Sequence, residues 1–362
     1  MNVERLHRVI FDFQNDLQKT NLLGNLQAVR ENLQNIVNQP NQPAYQTNLV
    51  ASIEELNKAL HTSKYNSYTP MFKETIAEIT NEMNFGEELK SEIDSIFASN
   101  IITPAKALED IDKIVNEIIK IQTGITNTIG GLESLNIEKE ELEPGTCELG
   151  YTIPRKYIDN KLVELKNEIS ELNFILNMFT EAVTGKTEDH KVKTISSSEF
   201  LLYVILGLQV ADAVSKATER ILNHYKQILE IKVLRNQLAE KGVPAKETAS
   251  VEKYANGLME TEIKKIAKEI IDEHYNEEKG RKNEIENGLN IALNKLANRI
   301  DNGFSVEIRV EPLPKPKTED KDEQYESNVE LIKSIQKSAN NIDYIEAKGK
   351  AILQLPESVE KN

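Results

Sequence analysis

The sequence predicts a mainly all-α protein: a multi-helix bundle with long antiparallel, coiled-coil-like helices in its C-terminal half and a minor small β-sheet. Three observations carry this. Apolar residues recur at spacings of three and four along most of the 362 residues, the rhythm of a helix that buries one face. Thr-Pro pairs at 69–70 and 103–104 are helix-start signals, because a hydroxyl can accept orphan amides and proline's missing donor costs nothing at the first helical position. Finally, 39% hydrophobic residues, 6% aromatic, no Trp and 28% charged suit elongated amphipathic helices better than one thick core.

The first third reads as modest helices. Val3, Leu6, Ile10, Phe13 and Leu17 form the first stripe, which lacks the continuous apolar stretch and small-residue cleavage site of a signal peptide. Leu22, Leu26, Val29, Leu33 and Ile36 form the second, stopped by "NQPNQP" at 38–43. A third runs through Tyr45, Leu49, Ile53, Leu56 and Leu60. Helices follow at 70–98, interrupted at Gly86, and at 104–129, where "GG" at 130–131 closes the pattern. This is an N-terminal helical bundle, 1–130. Residues 131–150 carry six glutamates and read as an acidic, solvated connector.

Beyond it the helices lengthen, in a long-helix region with room for a small sheet at 151–312. Ile158, Leu162, Leu165, Ile169, Leu172, Leu176, Phe179 and Val183 predict a helix over 155–183. Ser196 with Glu199 has capping-box spacing and predicts a helix running to Gly242. Its start, "FLLYVILGLQVADAV" at 200–214, is read as a buried helix, since 15 residues containing Gln209 and Asp212 fall short of the ~20 needed to span a bilayer. The next helix covers 246–301 and pairs with its predecessor as a hairpin turning at "KGVPAKE". "FSVEIRVEP" at 304–312 alternates as a strand does, and "HKVKTIS" at 190–196 and "ELGYTIP" at 148–154 do so more weakly. A proline and charge linker at 313–324 leads to a C-terminal helix and tail, 325–362. That helix runs through Ile332, Ile335, Ala339, Ile342 and Ile345 to Gly349, and "AILQLP" packs back as an extended end.

One segment breaks the pattern. Between Ile270 and Ile285 the stripe positions are held by His274, Glu277 and Arg281. Three readings fit: a hairpin tip marked by Gly280; a continuous helix projecting past its partners, the preferred reading; or a buried polar layer that fixes register. These three residues are the candidate interaction or register residues. Arg155 and Lys156, in "TIPRK", are candidate contacts for an anion or an acidic partner, because cations oppose the dipole at a helix start and would seek a negative partner.

Chemistry is otherwise sparse. No phosphate loop, dinucleotide fingerprint, H-E-x-x-H or G-x-S-x-G is present. No two of the five histidines are three to five residues apart, so no catalytic residue, cofactor or metal ligand is assigned. The single cysteine, Cys147, sits among acidic residues that disfavour a thiolate, and a lone cysteine excludes an intrachain disulfide framework and fits a reducing compartment. A net charge of −15 argues against a nucleic-acid partner. The sequence thus predicts a non-catalytic helical scaffold of the bacterial cytoplasm, binding a protein partner or a second copy. Two alternatives stand beside it: a soluble α-helical cytolysin exposing the apolar helix near 200–214, and an effector or regulator of a bacterial conflict system.

Overall fold

Each apolar stripe of the N-terminal third becomes the buried face of a helix. The computed structural model describes residues 3–196, 200–275, 279–314, 323–344 and 350–358; among these the chain is mainly α, with eleven helices and one four-stranded antiparallel sheet. It divides into two compact units, Asn2–Glu141 and Leu142–Asn362.

The first unit holds α1 (Val3–Lys19), α2 (Leu22–Asn38), α3 (Pro43–Thr62), α4 (Pro70–Ile79), α5 (Gly86–Ser99) and α6 (Pro104–Ser134). Phe13, Leu26, Leu56, Ile76, Leu89, Ile93 and Ile111 meet in its core, all fully buried. Thr69 accepts the Phe72 amide at 3.4 Å, as its position before Pro70 predicts. Thr103 makes no such cap; its hydroxyl donates to Asn100 Oδ1 instead. Helix α6 runs through Gly130 and Gly131 rather than ending there, since Ile125 and Ile129 keep its face buried and packing outweighs the low helix propensity of glycine.

Asp16 organises one end of this unit, accepting the Ser63 hydroxyl at 2.6 Å and the amides of Lys64 and Tyr65 at 2.7 and 3.2 Å. A short 3-10 turn at Lys64–Ser67 is thereby held against α1, and Tyr65 and Phe85 pack on Phe13. Asn66 extends the same joint, donating to the Leu60 and His61 carbonyls and accepting the Glu87 amide at 2.9 Å.

The second unit contains β1 (Cys147–Ile153), α7 (Leu162–Thr184), β2 (Lys191–Ser196), β3 (Phe200–Leu206), α8 (Leu208–Glu240), α9 (Ala245–His274), α10 (Lys279–Asp301), β4 (Ser305–Val310) and α11 (Glu323–Asn341). The sheet order is β2-β3-β1-β4, antiparallel throughout, and the three stretches that alternate in sequence are three of its strands. Cys147, Leu149, Tyr151 and Ile153 share one face with Leu202, Val204, Leu206, Val306, Ile308 and Val310, and that face joins the core of the helices. At the β4 edge the Tyr344 hydroxyl accepts the Val306 amide at 2.6 Å and donates to its carbonyl at 3.2 Å, a side-chain cover for an edge strand.

Three sequence expectations change in this unit. The run at 200–214 is not one buried helix: Phe200–Leu206 is β3, central in the sheet, and α8 begins at Leu208. A short run apolar on both sides has no period, so pattern alone cannot tell a central strand from a buried helix. Glu199, the proposed cap partner of Ser196, lies outside the described residues, as does 345–349. The helix expected from 155 begins at Leu162, after a turn in which Asp159 and Asn160 take left-handed φ of 48° and 54°. Lastly, 246–301 is two helices. Asp272 meets Lys282 at 2.8 Å, while Asn256 and Asn298 hold neighbouring residues of the tail, so α10 folds back antiparallel along α9. The 30-residue α9 spans ~45 Å, not the ~80 Å of an unbroken rod. Helices α7 to α10 form an antiparallel bundle in which Arg220 bonds Glu262 and Glu269 between α8 and α9, and Arg299 bonds Glu168 between α10 and α7.

Gly86 tests the joint in the first unit. Its φ is +56°, and a Cβ there would lie 2.0 Å from Asn66 Oδ1. Gly86→Ala combines the left-handed penalty of about 1–2 kcal/mol with loss of the Asn66 contacts. An unfolding free energy in urea lowered by at least that amount is expected; an unchanged unfolding curve contradicts the account.

Candidate functional site

The second unit carries an unusual concentration of buried polar groups where α8, α9 and α10 meet the chain's final segment. Helix α10 ends at Asp301, whose carboxylate is wholly enclosed. Lys232 Nζ donates to Oδ1 at 2.7 Å and to the Asp301 carbonyl at 3.0 Å, and the Tyr225 hydroxyl donates to Oδ1 at 2.6 Å. Tyr225 and Lys232 lie two turns apart on α8 and therefore face the same way. Burial, reinforced by the Asp301 charge, pushes the Tyr225 phenol far above its ordinary range, so it stays a neutral donor. The other oxygen, Oδ2, accepts the amides of Ile352 and Leu353 at 2.6 and 2.7 Å.

The ladder continues along the tail. Asn256 of α9 accepts the Gln354 amide at 2.6 Å and donates to the Ile352 carbonyl at 3.1 Å. Asn298 of α10 accepts the Leu355 amide and donates to its carbonyl, both at 3.0 Å. Asn294, one turn earlier, donates to the Pro356 carbonyl at 2.8 Å. From Asp301 back to Asn294 is two helical turns, about 10 Å, which residues 352–356 cover only if nearly extended. Ile352, Leu353 and Leu355 are buried, while Gln354 and Pro356 are exposed. The packed-back end expected from "AILQLP" is thus a segment read through its main chain.

Charge closes the far end. Glu357 receives Asn298 Nδ2 at 2.8 Å, Lys295 at 3.4 Å and Arg299 at 3.5 Å. Partial burial opposes its ionisation, but Asn298, Arg299 and Lys295 together outweigh that and hold its carboxyl below the usual range. Arg299 is itself gripped by Glu168 through two bonds, of 2.8 and 3.2 Å, and Lys295 by Glu171 at 2.7 Å.

The residues singled out from sequence lie elsewhere. His274 is the last residue of α9, partly covered, with Nε2 3.8 Å from Glu273. Arg281, in the first turn of α10 and half exposed, bonds Glu284 at 2.9 Å and also Glu181 of α7. Glu277 lies outside the described residues. The stripe is broken because the helix turns there, not because it projects unpartnered. At the opposite end of the bundle, Arg155 and Lys156 follow β1 in the turn before α7, away from any helix start. The Arg155 guanidinium stacks 4.4 Å from the Phe200 ring centroid and donates to Asn160 Oδ1. Cys147 is not in a loop but in β1; burial, aided by the Asp212 charge, pushes its thiol up to about 12.

Sequence reading missed Asn256, Asn294, Asn298, Asp301 and Lys232. The legible signal was Asn294 and Asn298, polar at a spacing of four beside the stripe of Ala292, Leu296 and Ile300. In the first unit two adjoining clefts of ≈ 440 and ≈ 370 Å³ share Thr80, Asn81, Glu117 and Lys120, where the only charges common to both are the paired Glu117 and Lys120, 3.4 Å apart.

No protein-family model, curated protein or solved structure matches this chain. No helix among the described residues is long and apolar enough to cross a membrane, and no three or more His, Cys, Asp or Glu side chains among them are grouped to hold a metal ion.

Two measurements test the ladder. Lys232→Met leaves Asp301 buried without its cation and is expected to cost about 3–5 kcal/mol in urea unfolding; a change below about 1 kcal/mol contradicts the pairing. For Glu357 the folded carboxyl titrates lower than the unfolded one. Its contribution is therefore complete at neutral pH and is lost as pH falls from the ordinary value of about 4.3 through the lower native one. Wild type should exceed Glu357→Gln in stability at pH 7, by less than about 1 kcal/mol given its partial exposure, and the gap should shrink progressively as pH falls below about 4.3. A pH-independent gap contradicts this.

Proposed function

We propose that this protein is a non-catalytic helical scaffold, working in a bacterial cytoplasm through recognition of protein chains. One observation carries the reading: Asn256, Asn298 and Asp301 pair with the main-chain groups of residues 352–355, using side-chain amides and a carboxylate as another strand would use its backbone. Supporting it are the long antiparallel helices α8 to α10, which bury one face and turn Tyr254 and Leu234 outward, 63% and 53% exposed. Aromatic side chains such as Tyr254 are enriched at protein interfaces relative to the rest of the surface. The cytolysin alternative loses its motive, because the apolar run that would insert is divided between a central strand and the buried start of α8.

Photo-crosslinking residues placed singly at 234, 254 and 281 in producing cells test the proposal. A discrete adduct, either with one recurring protein or with a second copy, is expected from at least one position. Absence of adducts from all three, together with turnover of a small molecule that is lost on altering a residue of this chain, overturns it.

A further inference from the structure

The tail groove combines three features. Its polar ladder addresses backbone: the bonds to residues 352–355 involve their amides and carbonyls and are indifferent to side-chain identity. Its selectivity lies in a few sockets: apolar positions for Ile352, Leu353 and Leu355, then Pro356, then a carboxylate between Asn298, Lys295 and Arg299. The residues that build it belong to α8, α9 and α10, and its apolar occupants Ile352, Leu353 and Leu355 join the same core as Met259, Ile263, Ile266, Leu289 and Leu296.

We infer that this groove is a peptide-recognition site that exchanges its resident tail for an extended segment of a partner protein. The segment would have apolar residues at its first, second and fourth positions, then proline and a carboxylate. The inference rests on the scaffold reading above and names the partner chemistry it requires. The chemistry is taken from the occupant already seated: whatever replaces it must offer two successive amides to Asp301 and an anion to Lys295 and Arg299. Simple opening is disfavoured, because Asp301, Lys232 and Arg299 are all buried beneath the tail and would face a groove emptied of its donors and its anion. Exchange keeps every one of those bonds. The resident tail is a tethered competitor with an effective concentration on the order of mM, so a free segment binds weakly until the tail is weakened.

The test uses the full chain and a fluorescein-labelled peptide of residues 350–358. Wild type should bind it weakly, and a chain carrying Leu353→Asp and Leu355→Asp in its own tail at least about tenfold more tightly, since the competitor is removed. Adding Asn298→Ala to that chain should remove most of the gain, and a peptide carrying E357K should bind about tenfold less well than the natural one. If the tail-altered chain keeps wild-type circular dichroism and yet binds no peptide, the inference is overturned; equal binding of the two peptides overturns the carboxylate requirement. If that chain does not fold, hydrogen exchange on wild type decides. Faster exchange of the Ile352, Leu353 and Leu355 amides in excess peptide supports exchange of the tail, and an unchanged rate overturns it. Crosslinked adducts without peptide binding would sink this inference and leave the scaffold reading standing; no peptide binding, no adducts and turnover that depends on a residue of this chain would sink both.

Discussion

A carboxylate leaves water only when other donors replace its hydration, and Asp301 meets that condition by drawing on three parts of the chain at once. Lys232 and Tyr225 come from α8, two amides come from the tail, and the acidic residue closes α10. Bringing an isolated ion to such a place costs several kcal/mol, so each donor is conditional on the others. The consequence reaches past the site. Just beyond Asp301, Gly303 takes φ +88° while the Phe304 amide bonds the Arg299 carbonyl at 3.0 Å, a left-handed helix end that turns the chain into β4. The position of the sheet relative to the bundle therefore follows from where α10 stops, and α10 stops where Asp301 finds its donors.

The large features were legible because they are periodic. Stripes at three and four gave the helices of the first unit, and alternation gave β1, β2 and β4. What escaped was aperiodic or non-local. Strand β3 is apolar on both faces, so it carries no alternation to read. The α9–α10 tip escaped for a different reason. Both helices present the same kind of stripe to the same core, and laid end to end in sequence they resemble one long helix with a flaw. His274 and Arg281 looked anomalous only under that assumption; at a tip, polar residues are what solvent allows.

The tail site was half legible. "AILQLP" announces an apolar end, but its partners are spread over α8, α9 and α10, with Asp301 50 or more residues from the amides it accepts and 69 from Lys232. Nothing local in the sequence ties Asn256 to Gln354. Buried polar pairs of this sort are chosen by three-dimensional complementarity, and a lone polar residue beside an apolar stripe reads the same whether it faces solvent or a peptide backbone. The charge anomaly that singled out Arg155 came from a helix start expected beside it, and it disappears when the helix begins at Leu162.

Main-chain recognition alone fixes affinity without fixing register, because every residue offers the same amide and carbonyl. In this groove the register is set by three features acting together. Asp301 demands two consecutive amides, which Pro356 cannot supply and so cannot occupy that place. Moving the segment by one residue would exchange the buried Leu355 for the exposed Gln354. The same shift would carry Glu357 away from Asn298, Lys295 and Arg299. Polar ladder and apolar sockets thus divide the work: the first holds any extended chain, and the second admits one alignment of one kind of sequence. A segment that merely sealed the bundle would also need its buried amides and carbonyls paired, but it would not need a fixed register or a carboxylate held by Asn298, Lys295 and Arg299, and those two features are the physical ground for treating the groove as a recognition surface.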